Sequence, residues 1–120
     1  MKRKRIIAVD FDGTLSLGKF PACGPANRKL IDLIIKIMEQ PKENRSVWFV
    51  LWTSRTGKYL NNAVEWLKRQ GIVFDSVNSV PSFISEYPDN TRKLYADLYV
   101  DDRAMTPEQF IYEYEFEEND

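Results

Sequence analysis

The stretch IIAVDFDGTL (residues 6–15) decides how this chain is read. An apolar run, residues 6–9, gives way to Asp10 and Asp12, one residue apart, and Gly13 follows at once. Apolar residues without alternation suit a strand buried on both faces of a parallel sheet. Two carboxylates this close repel each other, and each is more stable in water than at the end of a buried strand. Either the pair is a solvated turn, or a cation sits among these and other acids.

Three more runs read as strands: SVWFVLWT (46–53), IVFDSV (72–77) and LYVDD (98–102), with RIIAVDF (5–11) as the first. Helical spacing lies between them. Over 26–40, Leu30, Leu33, Ile34, Ile37 and Met38 form a stripe, with Pro25 suited to a first turn and Pro41 closing the helix. Over 57–70, Leu60, Ala63, Val64 and Leu67 form another, and Gly71 suits the cap. Near the end, Thr106, Pro107 and Gln109 spell a capping box, and Met105 with Phe110 can staple a helix reaching about Tyr114, before an acidic tail that frays. Strands alternating with helices predict an α/β fold. Residues 78–92 read as a long loop.

Composition bounds the function. The 120 residues suit one domain, 1–120, and 43% hydrophobic with 13% aromatic content suits a packed core. A net charge of −1 makes the whole chain no strong attractor of nucleic acid or anionic membrane. A single cysteine, Cys23, rules out an internal disulfide and fits a reducing cytoplasm. The absence of histidine excludes Ser-His and Cys-His catalysis and imidazole zinc sites. The basic KRKR (2–5) and the apolar run after it resemble a signal peptide, but Asp10 ends the run too early for a signal or a membrane span. The expectation is a soluble, cytoplasmic protein. Trp48, Trp52 and Trp66 fall in strand or helix patterns and read as core, and Cys23 as a packed side chain.

Three strand runs end in polar residues: Asp10 and Asp12; Thr53, Ser54 and Arg55; Asp101, Asp102 and Arg103. In a parallel sheet these C-terminal ends share the edge where ligands of open α/β sheets bind. A hard cation with oxygen ligands, Mg²⁺, makes such a carboxylate cluster tolerable. Carboxylates, Mg²⁺ and a hydroxyl can handle phosphate. One aspartate can attack phosphorus while another moves the proton, and Thr53 with helix-start amides can hold phosphate oxygens. Arg55 reads equally as a substrate contact or a surface ion pair. Lys19, Phe20 and Arg103 could line the mouth.

DFDGT resembles the first motif of the haloacid dehalogenase superfamily, LWTSR its second and YVDDR its fourth; Lys93 in TRKLYADLYVDD is the best match to its third. The resemblance implies a Rossmann-like three-layer α/β/α sandwich with a mainly parallel sheet of about four strands, and Mg²⁺-dependent phosphomonoester hydrolysis. It implies Asp10 as nucleophile, Asp12 as general acid/base, Thr53 as holder of the phosphoryl group and Lys93 as charge partner. Mg²⁺ would be bound by Asp10, the carbonyl of Asp12 and Asp101 or Asp102, Asp101 being favoured as the direct ligand. Ser54 and Arg55 complete the expected substrate contacts. Arg92 or Lys58 could serve in place of Lys93, which lies closer to the fourth strand than in many relatives.

Only the short LSLGKFPACGP (15–25) follows the first motif, so the expectation is a member without a cap domain, open to small phosphorylated metabolites or polymer ends. A homo-oligomer partner or the 78–92 loop could act as a lid. The DDR ending resembles the 3′-phosphatase half of polynucleotide kinase/phosphatases, which keeps nucleic acid as an alternative substrate. A phospho-acceptor signalling module is the alternative from another class. Response-regulator receivers place their acid pair at the first strand, however, and Asp12 would hasten loss of a phosphate that a switch must keep.

Overall fold

The structure is a computed structural model that describes residues 4–41, 43–81, 83–84 and 94–118. Its sheet has four parallel strands, β1 (Arg5–Val9), β2 (Val47–Leu51), β3 (Ser76–Val77) and β4 (Leu98–Val100), in the order β3-β2-β1-β4. Helix α1 (Arg28–Met38) joins β1 to β2, α2 (Gly57–Gln70) joins β2 to β3, and α3 (Pro107–Glu118) follows β4. The α/β fold expected from the strand and helix pattern is the fold observed, and it is Rossmann-like, as the resemblance implied.

The strand order dictates which face each connection covers. β1 to β2 and β2 to β3 step the same way, so right-handed crossovers put α1 and α2 on one face. There Ile31 and Ile34 of α1 and Ala63, Trp66 and Leu67 of α2 pack with Val9, Phe49 and Leu51. The step from β3 to β4 reverses direction and crosses the other face. Val80, Ile84, Leu94, Tyr95 and Ala96 cover Ile6, Ala8, Trp48 and Val50 there. That layer is thus built, among the described residues, from connecting chain rather than helix. Chain direction switches between β1 and β4, and at such a point a crevice opens beyond the carboxyl ends of the strands.

Local chemistry sets the element ends. Asn27 caps α1, its Oδ1 accepting from Leu30 N at 3.3 Å, so the helix starts after Pro25, whose carbonyl instead accepts from Leu17 N. The buried stripe of α1 is Ile31 and Ile34; Leu33, expected inside, is 56% exposed. Gly71 ends α2 in the left-handed region at φ 95°, which costs glycine nothing, and its N–H donates to the carbonyls of Leu67 and Lys68.

β3 is shorter than the 72–77 run because a side chain takes over part of its ladder. Asp75 Oδ2 accepts from Phe49 N at 2.8 Å, and the same carboxylate is gripped by buried Arg45 at 2.7 and 3.0 Å. Ile72 and Phe74 are core residues all the same. Trp48 and Trp66 are buried as expected.

α3 differs from the other helices. Its capping box forms as read: Thr106 N donates to Gln109 Oε1 at 2.8 Å and Gln109 N to Thr106 Oγ1 at 3.1 Å. Yet residues 107–115 are all exposed, and Met105 and Phe110, the expected staple, stay half-exposed. Phe110 stacks on Tyr114 instead, with centroids 4.5 Å apart. The helix continues to Glu118, beyond the expected end. No helix among the described residues is long and apolar enough to cross a membrane.

Candidate active site

The crevice at the switch point is built from the two strands that flank it. Asp10 follows β1, and its N–H donates to Val100 O at 2.9 Å, so the ends of β1 and β4 are tied together. Beyond Asp10, the carbonyl of Phe11 accepts from the N–H groups of Thr14, Leu15 and Ser16, curling the chain into a tight turn. Phe11 and Leu15 anchor that turn in the core. Gly13 has φ 86°, and a Cβ on it would lie 2.3 Å from Asp102 Oδ2. The glycine is needed both for its backbone conformation and for the close approach of the fourth strand's acid. Thr14 Oγ1 accepts from Asp102 N at 3.2 Å, locking the same junction.

Asp10, Asp101 and Asp102 each offer a carboxylate oxygen, all within 4.8 Å of one another. Burial, and then the charges of Asp101, Asp102 and Asp12, push Asp10 up to about 6, against the opposing hydrogen bond from the backbone of Phe11. Asp101 Oδ1 also accepts from Arg103 N at 3.0 Å. The set is all oxygen and anionic, which fits a hard divalent cation such as Mg²⁺.

Asp12 stands apart from this cluster because a buried cation holds it. Arg55 Nε donates to Asp12 Oδ2 at 2.8 Å and Nη2 to Oδ1 at 2.7 Å. Nη2 also reaches Ala22 O at 2.9 Å, and Nη1 reaches the carbonyls of Pro21 and Tyr59, each at 3.2 Å, with Cys23 Sγ at 3.6 Å. The guanidinium lies between the rings of Phe11 and Phe20, 4.7 and 5.0 Å from their centroids. The bond to Asp12 drives Arg55 still higher than its ordinary value. This corrects the expectation for Arg55. It is neither a surface ion pair nor a free phosphate donor, since every guanidinium nitrogen is engaged inside the protein.

Arg55 thereby fastens the segment that follows the turn. That segment closes on itself at its base, where Leu17 N donates to Pro25 O and Asn27 N to Leu15 O. Ser16 Oγ accepts from Gly24 N at 2.8 Å. Cys23 packs against the core, in keeping with its reading as a small packed side chain.

Thr53 sits at the end of β2, and its Oγ1 accepts from Arg55 N at 3.1 Å. Asn78 holds its backbone from both sides: Thr53 N donates to Asn78 Oδ1 at 2.8 Å and Asn78 Nδ2 to Thr53 O at 2.9 Å. Asn78 adopts φ 53°, a left-handed conformation that asparagine tolerates better than most residues. Sequence reading missed this residue; the available signal was an asparagine directly after a strand run.

Asp10, Asp12, Asp101, Asp102, Ser54 and Arg55 line a cleft of about 720 Å³, with Lys19, Phe20, Tyr59 and Arg103 at its sides. Thr53, Ser54, Asp10, Asp101 and Trp52 line a neighbouring hollow of about 260 Å³. Lys93 and Arg92 lie outside the described residues. Lys58 is exposed, its Nζ 5.2 Å from the centroid of the Tyr59 ring. Asp97 lies at the opposite end of β4, where its Oδ2 accepts from Ile6 N at 2.7 Å.

No protein-family model matches the chain, and no curated protein matches it. A solved structure of a conserved protein from Bacteroides thetaiotaomicron is similar in fold, with a TM-score of 0.68 and 29% identity over 97% of this chain and 93% of that one.

Proposed function

We propose that the chain is a Mg²⁺-dependent phosphomonoesterase of the haloacid dehalogenase type, acting in the cytoplasm through an aspartyl-phosphate on Asp10. The observation that carries this reading is the meeting of Asp10 with Asp101 and Asp102 at the β1/β4 switch point, beside an Asp12 held separately by Arg55. Asp10, the carbonyl of Asp12 and Asp101 or Asp102 would hold the ion. When bound, Mg²⁺ offsets the negative charge that sets a carboxylate against a phosphate dianion.

The chain's own groups divide the work. Asp10 Oδ attacks phosphorus, and the bond from phosphorus to the ester oxygen breaks. Asp12 gives its proton to that leaving oxygen, then takes one from the water that attacks the phosphorylated Asp10, releasing inorganic phosphate. Asp12 enters the step protonated: its two oxygens offer about four lone-pair positions and Arg55 takes two, so one on each oxygen remains to carry the proton it passes on and later regains from water. Thr53 and Ser54 hold the phosphoryl oxygens, with Lys93 as their charge partner. The absence of a histidine makes the carboxylates the natural proton carriers.

The test is phosphate release from p-nitrophenyl phosphate and a panel of sugar phosphates, nucleotides and 3′-phosphorylated oligonucleotides, with Mg²⁺ or with EDTA. Turnover that needs Mg²⁺ and disappears in Asp10→Asn is the expected result. Turnover that survives in that variant, or no turnover by a folded protein on any substrate, overturns the reading. Selective hydrolysis of the oligonucleotides would move the substrate to nucleic acid ends.

A further inference from the structure

Two aromatic rings line the same cleft as Asp12, the acid proposed to protonate the leaving oxygen. Phe20 is 54% exposed and Tyr59 36% exposed; their centroids are 5.0 Å apart and their planes tilted by 57°. A phenylalanine that exposed forgoes the favourable burial of its ring. Its position is nonetheless fixed from below. The Arg55 guanidinium lies against the Phe20 ring, donates to the next two carbonyls, Pro21 O and Ala22 O, and also donates to Tyr59 O. The two rings therefore project from one buried anchor, the same group that positions Asp12. Cationic side chains edge them: Lys19 and Arg103 line the cleft, and Lys58 lies beside the Tyr59 ring.

A preorganised aromatic step beside a phosphate-handling site suits one kind of leaving group. We infer that Phe20 and Tyr59 form a stacking subsite that selects phosphomonoesters whose leaving group carries a flat ring, an arene or a nucleobase. This inference rests on the phosphatase reading. An aliphatic leaving group would cover the rings without stacking. A flat one gains face-to-face or edge contacts with both, at little entropic cost because the step is already fixed.

The experiment compares matched pairs whose leaving oxygens are chemically alike: benzyl phosphate against cyclohexylmethyl phosphate, and a nucleoside 5′-monophosphate against ribose 5-phosphate. We expect the flat member to be favoured by about tenfold in kcat/KM, chiefly through KM. The preference should fall to near unity in Phe20→Ala and Tyr59→Ala and persist in Phe20→Tyr and Tyr59→Phe. Preference in the first pair alone assigns the subsite to arenes; preference in the second assigns it to nucleobases. Equal use of both members of each pair by the wild type, or a preference unmoved by both alanine variants, overturns the inference while leaving the phosphatase reading intact. If no compound is hydrolysed, the phosphatase reading fails, and calorimetric titration of the same four compounds decides the subsite separately. Tighter binding of the flat members, lost on Phe20→Ala, supports it, and equal or absent binding overturns it.

Discussion

Asp12 and Arg55 form a two-pronged ion pair, 2.8 and 2.7 Å long, in which the arginine is almost wholly buried and the carboxylate stays at the edge of the cleft. One side chain thus holds an acid of the site and the segment that walls it. Removing a buried charge partner leaves the other uncompensated and typically costs about 3–5 kcal/mol. Arg55→Ala is expected to fall toward that range, lowering the urea midpoint at unchanged slope. Arg55→Lys keeps the charge but loses the fork, so it should recover only part of the stability. A variant as stable as the wild type would mean that the anchoring interactions are not formed in solution.

Asp10 gives a pH dependence of known sign. Its value is raised from 3.8 to about 6 in the fold, so between those limits the folded state binds more protons than the unfolded state. Stability from this group is present at low pH and lost as pH rises toward 6. Asp10→Asn removes that loss. In EDTA the variant should therefore gain on the wild type between pH 4 and 6 and stay ahead above it. The gain is expected to be about 1 kcal/mol, since solvent still screens a partly buried carboxylate. Thermal unfolding across pH 4–8 measures it, and an Asn variant less stable than the wild type at pH 7 would contradict the assignment.

Gly13→Ala tests the contact between the two strand ends. The added Cβ would lie 2.3 Å from Asp102 Oδ2, at a backbone φ of 86°. The carboxylate is a movable side-chain end, so it should swing away rather than unfold the turn. We expect a stability cost of about 1–2 kcal/mol from the strained backbone. Mg²⁺ affinity should fall by about tenfold, with calorimetric titration as the measurement. Unchanged affinity would place Asp102 outside the ion's ligands.

α3 predicts a negative result. Because residues 107–115 are all exposed, deleting residues 107–120 should leave the unfolding free energy within about 0.5 kcal/mol. Chemical denaturation of the shortened and full chains decides this. A large loss would mean that α3 packs on its own sheet or on a second copy in solution.

The central strands and the meeting of three acids at one sheet edge were legible because they rest on local signals. Residues 6–9, 47–51 and 98–100 are unbroken apolar runs; Asp10 stands where the first stops, and Asp101 and Asp102 where the last does. The Thr106–Gln109 capping box is also local, and it formed as read. What escaped depends on partners distant in sequence. Nothing near Arg55 in sequence reveals that Asp12 will take its guanidinium. The shortened β3 depends on Asp75 meeting Arg45 and Phe49. In α1, apolar residues occupy too much of the circumference for the sequence to choose between Leu33 and Ile31 as the inward position; the sheet chooses. The capping box of α3 could show that a helix starts, but not whether anything would cover it.

Among the described residues the sheet ends in two very short strands, Ser76–Val77 on one side and Leu98–Val100 on the other. An unpaired strand edge is a template on which another chain can lay down a strand, the route to fibrils and to swapped assemblies. Two or three residues offer too few backbone groups to hold such an addition against its loss of chain entropy. The brevity of its outer strands thus protects the chain from edge-to-edge polymerisation, and a variant that lengthened β4 would be the first in which fibrils should be sought.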